Sequence, residues 1–314
     1  MHPNNLIKDF KCDELDGVKI TFINMPLRES ALPNTPPEGP AILSSIVRQY
    51  GGEPYIIDLN GYRIKDSLAI KKGLPNGRHL TYDETEQIIV THLSNVGDQD
   101  IIAFSGKITT LRWQEKVAEI VKRLQPECFL VTGNGLATEI NKGLFNWIPE
   151  LDGIARSEGD DIIPLICKDA LLIKVQGLNK AIKSGKLSPY FAGEINGKNR
   201  FIYEGNRPYS LDKIPYASWD LLESDPYGNN LLEDYIKVPV WGMAANNSSA
   251  TPFTIKRSLT SVSSRGCPYA CAFCYRGAQG ERNYGIRSAE HIAIQIKEYV
   301  DKYNLDFIGF PDDN

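Results

Sequence analysis

Over roughly its first 170 residues, the sequence alternates short apolar, β-branched runs with segments of helical periodicity. The clearest run is IIAFS at residues 101–105, and the clearest helical segment is 111–124, where four apolar residues share one face. This alternation is typical of a parallel sheet covered by helices on both faces, because parallel strands need crossover connections. The five predicted strands cover residues 18–24, 55–59, 101–105, 128–132 and 152–155.

Helices are predicted between and after these strands. They cover residues 39–50, 82–93, 111–124, 138–147 and 160–172. Together the elements predict an α/β domain over residues 1–172, with a flavodoxin-like or Rossmann-like five-stranded parallel sheet. Ligands of such sheets bind beyond the carboxyl ends of the strands. Those ends are rich in glycine and small polar residues, which suits either turn formation alone or a floor for a large flat ligand.

The rest of the chain divides into two predicted segments. Residues 173–257 have weak periodicity and several prolines, and are predicted to form a connector with one hairpin at 196–199. Residues 258–314 predict a strand, a loop, a helix capped by Ser288 and a second strand near 305–310. This last segment therefore has the order of a single βαβ unit.

Composition excludes few functions. Of the 314 residues, 42% are apolar and 24% are charged, and the net charge is −4, which is ordinary for a globular protein. The charge gives no reason to expect a nucleic acid or an anionic membrane as the main partner. No apolar run is long enough to span a bilayer, and the N-terminus has no apolar signal core, so we expect a cytoplasmic protein.

Three of the six cysteines stand close together, as Cys267, Cys271 and Cys274 in the spacing C-x3-C-x2-C. Thiolates are soft ligands that suit zinc or iron–sulfur clusters. A structural zinc site normally has four protein ligands, whereas three leave one metal position open for chemistry. The alternatives are a zinc site completed by His291 and a chance cluster. The isolated cysteines are Cys12, Cys128 and Cys167.

The cysteine spacing, the aromatic Phe273 before the last cysteine and the preceding strand resemble the radical S-adenosylmethionine superfamily. The resemblance implies that the three cysteines bind a [4Fe–4S] cluster and that S-adenosylmethionine chelates its fourth iron. It implies an external electron donor, and it places Phe273 near the adenine. Asp312 and Asp313 would either help to hold the amino group of S-adenosylmethionine or cap a strand.

The N-terminal half resembles the cobalamin-binding domain that precedes the radical domain in one subclass of this superfamily. The similarity lies in the order and spacing of short motifs at 36–39, 55–58, 104–106, 131–135 and 157–160. The connector at 211–215 and the final residues 310–314 also resemble that subclass. The resemblance implies cobalamin as a further cofactor. The implied cobalamin contacts are Pro36, Gly39, Ser105, Gly106, Thr109, Gly133, Asn134, Gly135, Glu158 and Gly159.

The histidines depart from the pattern of other cobalamin proteins, whose D-x-H-x-x-G motif supplies a ligand to the lower face of cobalt. None of the four histidines lies in that context; they are His2, His79, His92 and His291. Members of the resembling subclass usually lack the motif too. We therefore expect no histidine on the lower cobalt face. The residue that faces it would come from the loop at 107–110, or there would be none.

The predicted radical domain is incomplete. A barrel of this family needs about six βα units, because its sheet must close, and residues 259–314 provide only two strands and one helix. The sequence therefore predicts the start of a (β/α) barrel, in a fragment or in a chain that another chain completes. Most of the substrate pocket is missing, so the substrate cannot be identified.

These observations favour a cobalamin-dependent radical S-adenosylmethionine enzyme, most often a methyltransferase acting at an unactivated carbon, although the chain is short for activity alone. Cyclisation and rearrangement remain open as reaction types. A second hypothesis is a radical enzyme without cobalamin, in which the first domain binds a substrate or partner. A third is a module that binds cobalamin and the cluster without turnover of its own.

Overall fold

A computed structural model of the protein describes residues 7–26, 35–62, 80–206, 210–237, 255–274 and 284–312. Its main sheet contains strands β1 (Lys19–Asn24), β2 (Glu53–Asp58), β3 (Ile101–Ser105), β4 (Phe129–Gly133), β5 (Gly153–Arg156), β6 (Phe191–Ile195) and β7 (Lys198–Glu204). The strand order is β2-β1-β3-β4-β5-β7-β6, and only the β6–β7 pair is antiparallel. The predicted α/β class with a mainly parallel sheet is confirmed.

Helices cover both faces of this sheet because each buries an apolar stripe. They are α1 (Glu38–Gln49), α2 (Tyr82–Val96), α3 (Leu111–Leu124), α4 (Asn134–Ile140), α5 (Leu144–Trp147), α6 (Ile163–Gln176) and α7 (Leu178–Ser184). One apolar cluster packs α1 and α6 against the sheet. A second cluster packs α2, α3, α4 and α5 against the opposite face. The sheet is thus buried on both sides, as its continuous apolar strands require.

The prediction of five strands was wrong, because the sheet has seven. Asn196 and Gly197 have φ values of 54° and 76° and form the tight turn of the predicted hairpin. The second hairpin strand, β7, then pairs in parallel with β5. The sheet therefore extends into the segment predicted to be a connector, and the division at residues 172 and 257 stays a prediction.

The single helix predicted at 138–147 was also wrong. Helix α4 begins earlier, at Asn134, and ends at Ile140, and a 3-10 turn at Asn141–Gly143 separates it from α5. Asn141 has a φ of 52°, in the region that an α-helix cannot continue through.

In the remainder of the predicted connector, the structure describes residues 210–237 and 255–257, and residues 210–237 pack on the first sheet and its helices. This stretch contains 3-10 turns at Leu211–Lys213 and Trp219–Leu222 and a short helix, α8 (Leu231–Ile236). Trp219 is buried in the cluster around α1 and α6. On α8, the Tyr235 hydroxyl donates a 2.7 Å hydrogen bond to Asp58 Oδ2 at the end of β2.

The last segment has the predicted βαβ order. It contains β8 (Ser258–Thr260), β9 (Ser264–Gly266), β10 (Tyr284–Ile286), α9 (Ala289–Tyr303) and β11 (Phe307–Gly309). Strands β8 and β11 pair in parallel, and β9 and β10 form an antiparallel pair that the sequence did not predict. That this segment is the start of an incomplete (β/α) barrel stays a prediction. In the part of the chain that the structure describes, no helix is long and apolar enough to cross a membrane.

Candidate functional site

A cavity of about 430 Å³ lies at the carboxyl ends of β1, β3, β4 and β5. Sheet residues such as Phe104, Val131 and Ala155 form its floor, and α1 and α6 supply apolar walls. Residues of the β8–β9 segment, including Val262 and Gly266, close the cavity from the other side. The cavity therefore lies between the first sheet and the last segment, at the edge where parallel α/β sheets bind ligands.

The structure brings some of the predicted cobalamin contacts to this cavity and leaves others away from it. Those that line it are Gly39, Ser105, Gly133, Asn134, Glu158 and Gly159. Those that do not are Pro36, Gly106, Thr109 and Gly135. Gly106 has a packing role, because a Cβ there would lie 2.0 Å from Gln114 Nε2. Contact with cobalamin stays a prediction for all ten.

Hydrogen bonds join the ends of β3, β4 and β5 into one platform. Asn134 has a left-handed φ of 75°, and its Nδ2 donates a 2.9 Å hydrogen bond to Ser105 Oγ. Thr138 Oγ1 donates to the Asn134 carbonyl at 2.9 Å and accepts from Ser157 N at 3.0 Å. The glycine-rich strand ends are therefore fixed relative to one another, and they keep the floor of the cavity open.

Charged contacts cross the cavity between the two parts of the protein. Arg265 Nη1 in β9 lies 2.6 Å from Asp160 Oδ2 and 3.3 Å from Glu158 Oε2, both beyond the end of β5. Glu38, in the first turn of α1, accepts a 2.9 Å hydrogen bond from Val262 N. Burial raises the pKa of the Glu38 carboxyl, which that hydrogen bond partly opposes. Neither Glu38 nor Arg265 was predicted as a site residue, although Arg265 lies only two residues before Cys267.

Two buried polar atoms at the cavity lack a hydrogen-bond partner among the described residues. They are Asp160 Oδ1 and Ser264 Oγ, and both residues line the cavity. A buried polar group without a partner costs roughly 1–3 kcal/mol. These atoms, together with the apolar floor, fit a flat ligand that carries hydrogen-bonding groups on its periphery, as the carboxamide groups of a corrin do.

The cysteine motif begins at the edge of the cavity. Gly266 lines the cavity with a φ of 84°, and Cys267 follows it. All three cysteines are free; Cys271 is exposed and the other two are half-buried. Three accessible thiols fit the donor set of an iron–sulfur cluster. Within the described ranges, however, no three cysteine, histidine or acidic side chains converge on one metal position, so the thiols must move together to bind a cluster.

The structure gives no support to a zinc site completed by His291. That side chain lies on α9, where its Nδ1 is 3.2 Å from Arg287 Nη1 and 4.0 Å from Asp212 Oδ1. Burial is the main cause that lowers the pKa of His291, and the nearby Arg287 adds to it.

The residues predicted to contact S-adenosylmethionine have contrasting positions. Phe273 is 93% exposed. Asp312 lines the cavity, but its Oδ1 accepts hydrogen bonds of 3.1 Å from Ser263 N and Ser264 N, so it caps the β8–β9 connection. Asp313 lies outside the described residues. Contact with S-adenosylmethionine stays a prediction for these three residues.

Neither described histidine lines the cavity. His92 lies in the core, where its Nε2 is 2.8 Å from Thr21 Oγ1 and burial lowers its pKa to about 4. His2 and His79 lie outside the described residues. Beyond β3, Lys107 caps a 3-10 helix at Ile108–Thr110, and none of these four residues lines the cavity. The composition of a lower cobalt face stays a prediction.

Comparison with known proteins gives distant sequence relatives, and no family model matches the chain. The chain is 25% identical over 307 residues to an uncharacterized methyltransferase of Pyrococcus horikoshii, covering 94% of this chain and 53% of the relative. It is 23% identical over 217 residues to the anaerobic magnesium-protoporphyrin IX monomethyl ester cyclase of Rubrivivax gelatinosus, covering 68% of this chain and 33% of that enzyme. The chain thus spans about half of the length of the first relative and a third of the second.

Two solved structures share the fold. One is OxsB, a cobalamin-dependent S-adenosylmethionine radical enzyme with aqua-cobalamin and S-adenosylmethionine bound, with a TM-score of 0.61 and 17% identity over 96% of this chain and 34% of OxsB. The other is TsrM from Kitasatospora setae, a radical S-adenosylmethionine methyltransferase with tryptophan and a cofactor analogue bound, with a TM-score of 0.55 and 13% identity over 94% of this chain and 47% of TsrM. At these identities the likeness establishes the fold alone.

Proposed function

We propose that this chain is the cofactor-binding part of a cobalamin-dependent radical S-adenosylmethionine enzyme, and that the reaction is methylation of an unactivated carbon. One observation carries the proposal: Gly266, which immediately precedes the C-x3-C-x2-C motif, lines the cavity at the carboxyl ends of the sheet. OxsB is described as cobalamin-dependent and TsrM as a methyltransferase, and the Pyrococcus relative is also described as a methyltransferase, which supports this choice.

The proposed cofactors supply chemistry that no protein side chain has. When bound, a [4Fe–4S] cluster supplies the electron that splits S-adenosylmethionine into methionine and a 5′-deoxyadenosyl radical, and a corrinoid supplies a methyl carrier. Cys267, Cys271 and Cys274 would hold the cluster. Three thiolates leave one iron open, which is the position that S-adenosylmethionine needs.

The protein's own part is to orient the cofactors and to exclude water. The sheet floor and the helix walls of the cavity are largely apolar, so a corrin face bound there would displace solvent. The Asn134–Ser105 hydrogen bond holds the strand ends in place beneath it. Asp312 fixes the start of β9, from which the cysteine motif extends.

Iron and sulfide content after anaerobic reconstitution tests the cluster assignment. Wild-type protein should bind about four iron and four sulfide per chain, as a [4Fe–4S] cluster contains. Cys271→Ala should lose the cluster, because two thiolates cannot hold it stably. Cys12→Ala removes another exposed, free thiol and should bind a full cluster. A full cluster in Cys271→Ala would contradict the assignment.

The length of the relatives supports a further part of the proposal. The chain matches 53% of the Pyrococcus relative and 34% of OxsB, so the remainder of the barrel and the substrate pocket would come from further residues or a second chain. We expect these 314 residues to bind cobalamin better than they cleave S-adenosylmethionine. Repeated turnover of S-adenosylmethionine to 5′-deoxyadenosine by this chain alone, with a reductant, would contradict this expectation.

A further inference from the structure

The carboxylate of Asp160 lies between the first sheet and the cysteine segment. Its Oδ2 is 2.6 Å from Arg265 Nη1, and the side chains are 6% and 17% exposed. Glu158 Oε2 lies 3.3 Å from the same nitrogen. Removing one partner of a buried ion pair leaves an uncompensated charge, so this contact strongly restricts where β9 can lie.

The other carboxylate oxygen of Asp160 lacks a hydrogen-bond partner among the described residues. Asp160 Oδ1 is buried and has no hydrogen-bond partner in the described ranges, and neither has the hydroxyl of Ser264, next to Arg265. Both residues line the cavity. A ligand with N–H donors on its rim would satisfy these atoms, and the primary carboxamides of a corrin are such donors.

Arg265 leads directly into the cysteine motif. It is the central residue of β9, where it pairs with Gly285 of β10, and Cys267 is two residues further along. Asp312 holds the preceding residues, Ser263 and Ser264, through their backbone N–H groups. A displacement of the Arg265 side chain would therefore also displace the start of the cysteine loop.

We propose that Asp160 and Arg265 couple the two cofactor positions. Asp160 accepts a hydrogen bond from a corrin carboxamide at Oδ1 and pairs with Arg265 at Oδ2. Arg265 in turn positions the cysteine loop. Cluster insertion and corrinoid binding then strengthen each other, and the coupling must be equal in both directions. The inference rests on the proposed function, because it requires both cofactors in this chain.

The experiment measures the dissociation constant of hydroxocobalamin by anaerobic equilibrium dialysis, with and without a reconstituted cluster. In the wild type we expect the cluster to tighten binding roughly tenfold, which is within the usual range of coupling between sites. In Arg265→Gln the ratio should fall below roughly twofold. Arg265→Lys, which keeps the charge, should restore part of the ratio. Asp160→Asn should lower the ratio and also weaken binding without the cluster.

Arg257→Gln is the matched control. Arg257 also lies in the last segment and forms an ion pair with another part of the chain: its Nη1 is 2.6 Å from Glu233 Oε1 of α8. Unlike Arg265, it does not line the cavity. This variant should keep the tenfold ratio even if it loses stability. The double variant Arg265→Gln with Asp160→Asn should lose no more coupling than Arg265→Gln alone, because the two residues act as one contact.

The outcomes separate the two proposals. If wild-type protein binds no corrinoid, the proposed function fails and the coupling fails with it. If it binds corrinoid equally well with and without the cluster, only the coupling is wrong. A tenfold ratio retained in Arg265→Gln would also overturn the coupling through this residue. Circular dichroism establishes folding first, and if Arg265→Gln does not fold, Arg265→Lys and Asp160→Asn decide the result.

Discussion

The two halves of the molecule are held in different ways. The main sheet, from β1 to β7, is buried between apolar clusters on both faces. The last segment buries few apolar side chains, among them Leu259, Tyr299 and Leu305. These three side chains join the apolar cluster that packs α1 and α6 against the sheet. The segment also meets the rest of the protein through hydrogen bonds and ion pairs, of which Glu38–Val262 and Arg265–Asp160 lie at the cavity.

This difference separates stability from site geometry. Apolar burial contributes most of the folding free energy and tolerates small displacements, because it has no direction. Hydrogen bonds and ion pairs contribute less, but they require particular distances and angles. We therefore expect substitutions in the sheet to change mainly the free energy of unfolding, and substitutions in the last segment to change mainly the position of the cysteine loop.

The largest expected effect lies in the apolar cluster that packs α5 against the main sheet. Phe145 of α5 is 0% exposed and its ring lies under the Arg200 guanidinium, 4.9 Å from ring centroid to Cζ. Phe145→Ala should reduce the free energy of unfolding by roughly 3–5 kcal/mol, measured by urea denaturation. Ile294→Ala on α9, where the side chain is 54% exposed, is the comparison and should change it by less than about 0.5 kcal/mol. Equal effects would contradict the contrast.

The pH dependence of stability should also differ between the halves. Burial lowers the pKa of His92 to about 4, so the folded protein binds this proton less well than the unfolded chain does. The stability that depends on neutral His92 is therefore fully present above about pH 6.5 and is lost as pH falls toward 4. Between pH 7.5 and pH 5, this effect should lower the free energy of unfolding by about 2 kcal/mol.

His92→Gln should remove this part of the pH dependence, whereas His291→Gln in the last segment should change it little. The comparison of each variant with the wild type at both pH values is essential. Burial raises the pKa of Asp58 and Asp169, and these groups favour folding increasingly as pH falls. An unchanged pH profile in His92→Gln would contradict the assignment to this histidine.

A smaller effect is expected at the centre of the last segment. Gln295 Nε2 donates a 3.1 Å hydrogen bond to the Tyr299 hydroxyl, and Gln295 Oε1 accepts one of 2.7 Å from Ser261 Oγ. Tyr299→Phe leaves the Gln295 amide without that partner and should cost about 1 kcal/mol in urea denaturation. An unchanged free energy of unfolding would show that apolar packing of the ring, not this hydrogen bond, holds Tyr299 in the segment.

The smallest effect is expected at an exposed ion pair. Arg48 Nη2 lies 2.8 Å from Asp220 Oδ2, with side chains 40% and 45% exposed. Arg48→Gln should cost at most about 0.5 kcal/mol, and less in high salt. Arg265→Gln leaves a buried carboxylate without its cation and should cost more. Similar costs in thermal unfolding would show that burial does not distinguish the two pairs.

Sequence periodicity predicted the elements of the main sheet well and its edge poorly. The bounds of β3 and α3 match the predicted 101–105 and 111–124, because a buried strand and an amphipathic helix leave local patterns. The hairpin turn at Asn196–Gly197 was predicted for the same reason. Its pairing with β5 was not, since the pairing of β7 with a strand about fifty residues away leaves no local pattern.

For the candidate site too, only features with a local sequence pattern could be predicted. Glycine-rich strand ends and the spacing of the three cysteines are local patterns, and the cavity lies at those strand ends. That the cysteines hold a cluster stays a prediction. The ion pair of Arg265 with Asp160 and the contact of Glu38 with Val262 were missed. Single charged residues leave no periodic pattern, and these partners are separated by more than a hundred residues.

The presence of both cofactor sites in one chain is tested most directly by its cofactor content after anaerobic reconstitution with iron, sulfide and hydroxocobalamin, followed by desalting. We predict about four iron, about four sulfide and about one corrinoid per chain, measured by colorimetric assay and absorbance. A chain that holds a full cluster but no corrinoid would contradict the cobalamin site at the sheet. A chain that retains corrinoid but no iron would contradict the cluster at Cys267, Cys271 and Cys274.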